Sequence, residues 1–255
     1  MFEDFLVGLR LWRYWLAKAT INYRLVYIDS RLGLLWPNLA VALLVVVLGS
    51  VWGILLDKDD MGAYYLYLTA GYPVWLFLSS SVNQGVADIV GFAKGNGLPI
   101  STFLFERLVT VSYRFLNIVP LIILALLLFG NGFSFHLLWF PIALLCLILW
   151  ALGVLMILMS VVSIVADFKH LINAVMGLAF LATPVIWDVG RLGDYQSYIW
   201  LNPFFPPLEF MRYSLTGIIY DMDVIWVALI YSLVLFVTGI GFFITNLNRI
   251  KYRAS

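Results

Sequence analysis

The stretch Arg31–Leu56, RLGLLWPNLAVALLVVVLGSVWGILL, carries a cation at its first position and no charge after it. An uncharged apolar run longer than about 18 residues reads as a bilayer span rather than a soluble core helix. Arg10, Arg13, Lys18, Arg24 and Arg31 all precede the run. Lys and Arg resist translocation, so this lead-in is expected on the cytoplasmic side. The run is too long and starts too late for a cleavable signal peptide, and it comes after the acidic pair Glu3 and Asp4, so the first span is expected to stay in the mature protein.

Composition agrees. Hydrophobic residues make up 64% of the chain and charged residues 11%, against roughly 25% charged in soluble domains. The cations gather at expected membrane edges rather than on one groove-like face, which argues against a nucleic-acid partner. The single cysteine, Cys146, lies inside an apolar run, which excludes an intrachain disulfide and a cysteine metal cluster.

Working outward, residues 1–31 form an interfacial lead-in. Phe2, Phe5, Leu6, Leu9, Trp12 and Leu16 recur at three- and four-residue steps, with Glu3, Asp4, Arg10 and Lys18 mostly opposite. That is an amphipathic helix on the inner interface, serving as a membrane float or as a lever on a cytoplasmic partner. Six spans are expected over 34–56, 64–86, 102–129, 137–165, 171–187 and 224–247, within one all-α integral membrane domain, 1–255. The inner connections then hold Arg10, Arg13, Lys18, Arg24, Arg31, Lys94, Lys169, Arg249, Lys251 and Arg253. The outer ones hold Lys58, Arg191 and Arg212. This asymmetry puts both termini in the cytoplasm.

Two connections are more than tight turns. Residues 87–101 read as a short helix, a Gly95-Asn96-Gly97 turn and Pro99, a compact cytoplasmic projection around Lys94 that is either an ordinary turn or the docking point of a soluble motor. Residues 188–223 are too apolar for a free loop, yet Pro203, Pro206, Pro207, Glu209 and Arg212 argue against a seventh span. Irregular backbone at this depth survives only when buried in protein or lining a wet cavity, so one or two re-entrant half-helices are expected there.

For chemistry, the sequence holds no G-x-x-x-x-G-K-[ST], H-E-x-x-H or G-x-S-x-G. Energy for uphill transport would come from another chain or an ion gradient, and no buried Asp, Glu and His set suggests a proton relay. His136 and His170 read as structural edge residues. Arg114, about three turns into the third span, and Asn117 one turn on are candidates for a polar conduit, the alternative being an ion pair within the bundle. Tyr64, Tyr67 and Trp75 share a face of the second span. They form either an aromatic belt at the lipid interface or a stacking face for sugars.

Several of these residues resemble a known family. Tyr27-Ile28-Asp29-Ser30-Arg31-Leu32-Gly33-Leu34-Leu35-Trp36-Pro37 is similar to the Y-x-x-S-x-L-G-x-x-W-P approach to the first span of bacterial ABC-type polysaccharide export permeases. Lys94 with Leu98-Pro99 resembles that family's coupling segment, and Thr183-Pro184-Val185-Ile186-Trp187 the end of its fifth span. Leu201-Asn202-Pro203, then Glu209 and Arg212, resembles its outer segment. At Asp167, where the family has Arg-Asp, this chain has Ala166-Asp167.

The resemblance implies a homodimer with two ABC ATPase subunits, exporting lipid-linked O-antigen, capsule or teichoic acid through the inner membrane. ATP and magnesium would belong to the partner subunit, this chain carrying no cofactor and no catalytic site. It implies ATPase coupling through Asp88, Phe92, Lys94, Leu98 and Pro99. It also implies an outer gate across 188–223, with Trp200, Asn202, Pro203, Phe204, Glu209 and Arg212 as candidates. The alternatives are an exporter of a small drug or lipid, or an integral lipid-modifying enzyme. An enzyme needs paired carboxylates, and Asp57, Asp59 and Asp60 cluster in a loop too short to form a pocket.

Overall fold

A computed structural model describes residues 2–87, 98–130 and 135–254, with side chains from 3 to 250. Among them the chain is built from helices and turns, without a strand. Two short helices lead in, α1 (Phe2–Arg10) and α2 (Trp12–Leu25), followed by α3 (Trp36–Leu55), α4 (Met61–Val86) and α5 (Ile100–Phe129). Then come α6 (Phe140–Ile164), α7 (Phe168–Ala182), α8 (Phe205–Thr216) and α9 (Asp223–Ala254). Tighter 3₁₀ turns cover Gly33–Leu35, Phe135–Trp139 and Val189–Leu201.

Among the described residues four stretches are long and apolar enough to cross a membrane: Gly33–Leu55, Ile100–Phe129, Phe135–Ile164 and Asp223–Ile250. The chain is thus an all-α protein with membrane-capable helices. The 26-residue α4 is also uncharged, but its tyrosines, serines and glycines lower its hydropathy. It compensates by burying most of its length, and forms the centre of the bundle. α7 differs from expectation. It stops at Ala182 because Thr183 turns extended (φ −92°, ψ 136°), as residues before proline do. At 15 residues it is about 22 Å long, short of a full bilayer core.

Helix directions follow from which residues meet. Phe129, Phe115 and Arg107 of α5 lie against Gly62, Phe77 and Gln84 of α4, so the two run antiparallel. Cys146 Sγ touches Ala228 O and Ser232 Oγ, and Gly153 meets Leu235 and Gly239, so α6 and α9 run parallel. A Cβ on Gly153 would sit 2.6 Å from the Leu235 carbonyl group, so the backbones are in direct contact, the close approach that small residues permit between membrane helices. At one end of the bundle Ile100 and Leu104 pack with Phe243, Leu247 and Ile250, and Phe5 of α1 leans on the same cluster. The lead-in and the end of α9 therefore share one end of the molecule.

The lead-in divides its apolar residues between two surfaces. Phe5 and Trp15 face Phe105 of α5, with ring centroids 5.4 and 5.6 Å away. Leu6, Leu9, Trp12 and Leu16 are left exposed. Polar contacts hold the helices down: Ser101 Oγ donates to Asp4 O at 2.6 Å, and Thr20 Oγ1 lies 2.9 Å from the Tyr113 hydroxyl. Glu106 accepts from Lys18 and Asn22, both at 2.9 Å. Arg107 turns the other way, donating from Nη1 to Gln84 O at 2.5 Å and from Nη2 to Ala87 O at 3.2 Å. It thereby satisfies carbonyls that the last turn of α4 leaves open.

Candidate functional site

At the far end of the bundle, the backbone between α7 and α8 is pinned by side chains from three directions. Thr183 and Asn202 begin and end the excursion and meet each other: Asn202 Nδ2 donates to Thr183 Oγ1 at 3.0 Å and to Ala182 O at 3.1 Å. Asn202 Oδ1 accepts the Phe204 N–H at 2.9 Å, an Asx turn that starts α8. Pro206 and Pro207 occupy the first turn of α8, where a missing N–H costs nothing. The helix closes on Gly217, whose φ of 75° is the left-handed cap glycine favours.

α8 is 12 residues long and buried from Phe205 to Arg212. Its start lies beside Trp75 and Trp150, midway along α4 and α6, with Phe204 5.3 and 5.6 Å from the two rings. Its end lies beside His136, ahead of α6. Between them sits a buried ion pair. Arg212 Nη1 donates to Glu209 Oε2 at 2.6 Å, with both side chains almost inaccessible. The other carboxylate oxygen accepts the Tyr220 N–H at 3.3 Å.

The guanidinium is held on two further sides. Nη2 donates to Pro184 O at 2.8 Å, and the guanidinium carbon lies 3.8 Å over the ring of Tyr67. Arg212 Nε has no hydrogen-bond partner among the described residues; the ring face supplies negative potential beneath the guanidinium plane instead. Gly71 makes room for this arrangement, because a Cβ there would sit 2.3 Å from Nη2. Two charges out of water are tolerated only when paired and hydrogen-bonded, and this pair has that support.

The tyrosines of α4 complete the latch. The Tyr67 hydroxyl shares its hydrogen between Pro184 O at 3.0 Å and Trp187 O at 2.8 Å. The Tyr64 hydroxyl donates to Ile186 O at 2.8 Å. Farther out, Lys58 pairs with Asp188 at 2.5 Å, and Arg191 donates to Leu56 O.

No family model matches the chain. It is, however, similar to an O-antigen export permease. Over 183 residues it is 23% identical to the O-antigen export system permease protein RfbA of Myxococcus xanthus, an overlap covering 69% of this chain and 70% of that protein.

The structure thus gathers Tyr64, Tyr67, Asn202, Phe204, Glu209 and Arg212 into one site, with Trp75 and Trp200 at its sides. Pro203 contributes its carbonyl to Trp150 Nε1 at 3.3 Å. Tyr64 and Trp75 are buried, and the hydroxyls of Tyr64 and Tyr67 are spent on backbone carbonyls. In this conformation they form neither a lipid-facing belt nor an open sugar-stacking face. The shared face was legible in the sequence; which neighbour it met was not.

Arg114 lies apart from this site. It is exposed, near the start of α3, with α1 and α2 packed along the preceding turns of α5. Asn117 Nδ2 donates to Leu34 O at 2.8 Å. Of the residues expected to couple to an ATPase, Leu98 and Pro99 lead into α5, with Pro99 at its cap position. Asp88, Phe92 and Lys94 lie outside the described residues. Sequence reasoning missed Gly71 and the Pro184 carbonyl. Their signals were a glycine on an aromatic helix face and a Thr-Pro step that exposes a carbonyl.

Proposed function

We propose that the chain is the membrane subunit of an ATP-driven ABC exporter for a lipid-linked polysaccharide, O-antigen foremost and capsule or teichoic acid next. It would work as a homodimer with two separate ATPase subunits, which bind the ATP and magnesium. The observation that carries this reading is the likeness to an O-antigen export permease across two thirds of both chains. The order of the matching motifs supports it.

On this reading α3, α4, α5, α6, α7 and α9 are six spans with both termini in the cytoplasm. α7 completes its crossing through the irregular 183–187 backbone. α8 is a re-entrant half-helix, and the Glu209–Arg212–Tyr67 latch is the closed outer gate. Residues 87–101 face the ATPase, with Arg107 and Glu106 tying the start of that segment and the lead-in to α5.

Co-expression of the chain with the ATPase encoded beside it tests the reading. A stable complex whose ATP hydrolysis is required for surface polysaccharide supports it. Undiminished surface polysaccharide in a strain lacking either gene would overturn it. Labelling of single cysteines at Asp60, Gln196 and Lys169, in a Cys146→Ser background, tests the layout. The first two should react from outside the cell and the third only after permeabilisation.

A further inference from the structure

A second feature lies near the opposite end of the bundle, where α3 separates from α4 and α5. A cleft of about 370 Å³ opens there, walled by Pro37, Ala40 and Val41 on one side and Tyr72, Leu76 and Phe77 on the other. Its lining is apolar except near one end, where Arg114, Tyr27 and Ser80 face it. Arg114 is the one charged residue of the lining and has no ion pair among the described residues. Ala40 and Arg114 are both exposed, so the cleft is open at the side of the bundle.

Its depth is set by covalent neighbours. Pro37 is in the first turn of α3, and Asn117, one turn beyond Arg114, binds Leu34 O at 2.8 Å. Arg114 therefore sits where the membrane-capable stretch Gly33–Leu55 begins, at headgroup depth, and the apolar walls extend from there toward the bilayer centre.

A cation at headgroup depth above a hydrocarbon-lined slot matches one ligand chemistry. We propose that the cleft holds a phosphate-bearing lipid, with its phosphate on Arg114 and its hydrocarbon chain between α3 and α4. The guanidinium fork fits two phosphate oxygens at once, which an ammonium would not. This inference rests on the membrane depth of α3 and α5, and stands whether or not the exported solute is a polysaccharide.

Native mass spectrometry of the full-length chain in detergent, titrated with phosphatidylglycerol, phosphatidylcholine or undecaprenyl phosphate, tests it. Phosphate-lipid adducts should weaken about tenfold in Arg114→Leu, the size expected when a charge-assisted bond to phosphate is lost. In Arg114→Lys, which keeps the charge and loses the fork, they should be weaker than in the parent and stronger than in Arg114→Leu. Ala40→Trp, which fills the slot and leaves the cation, should also reduce them, whereas inorganic phosphate should not compete. Preferred phosphatidylglycerol identifies a bilayer lipid, and preferred undecaprenyl phosphate identifies a carrier lipid; both support the site. Adducts unchanged in both Arg114→Leu and Ala40→Trp, with unaltered melting temperatures, would overturn it.

Discussion

Removing Arg212 leaves the Glu209 carboxylate buried among apolar neighbours. In Arg212→Met three contacts vanish: the 2.6 Å pair with Glu209, the 2.8 Å bond to Pro184 O and the cation–π contact with Tyr67. Breaking a buried pair at one partner costs about 3–5 kcal/mol, most of it the penalty of the stranded charge. The two lost side contacts belong to the same guanidinium and are not added separately. At about 1.4 kcal/mol per decade, the population with the 183–204 segment detached should rise by about two to three and a half orders of magnitude. Glu209→Gln with Arg212→Met should behave differently. No charge remains to strand, and the pair of substitutions should recover at least about half of the loss. A double-mutant cycle on unfolding in mixed micelles, with hydrogen exchange at Val185 and Ile186 as the local readout, measures both. Single losses that add in the double variant, or an Arg212→Met protein as stable as the parent, would refute the reasoning.

Three further outcomes follow from the packing. Gly71→Ala should displace the Arg212 guanidinium, whose Nη2 would lie 2.3 Å from the new Cβ, and cost about 1–3 kcal/mol in the same unfolding assay. In an Arg212→Met background that cost should largely disappear. Gly153→Val should force α6 from α9 at a backbone contact that cannot yield, lowering the melting temperature and the yield of folded protein. Glu106→Gln should loosen α2 through loss of the 2.9 Å bridge from Lys18, read as faster proteolysis at Arg24 with an unchanged far-end latch.

The helices were legible because apolar runs and charged punctuation are local. The apolar helix α3, the antiparallel return of α4 and the proline-broken backbone around α8 all follow from residues adjacent in sequence. Depth was not local. Counting turns from Thr102 places Arg114 well along an apolar helix, but does not show that α1 and α2 pack over the start of α5 and that Arg114 shares a cleft with Pro37 at the start of α3. Facing was not local either. Tyr64, Tyr67 and Trp75 share a stripe, but period alone does not say whether it meets lipid, sugar or another part of the same chain. The i,i+3 spacing of Glu209 and Arg212 was the clearest site signal, because two charges that close on one helix face are placed to pair. Their third partner, a carbonyl freed by a proline 28 residues away, had no signature as a partner.

A buried ion pair is a costly way to hold two segments together, since apolar residues of similar volume hold as well or better. Its distinguishing property is what happens when it opens. Separated in a dry interior, Glu209 and Arg212 are each left without compensation; separated in the presence of water or sugar hydroxyls, each finds new partners. On the proposed role, the latch makes opening of the outer end conditional on a hydrated or glycan-filled path beside Tyr67. An apolar seal of equal strength would instead open onto lipid. The Glu209→Gln, Arg212→Met protein separates these two properties. It should keep its fold while losing the dependence on polar contents, and so leak small ions when no substrate is present. A double variant that is stable and ion-tight at rest would show that the charges hold the backbone and nothing more.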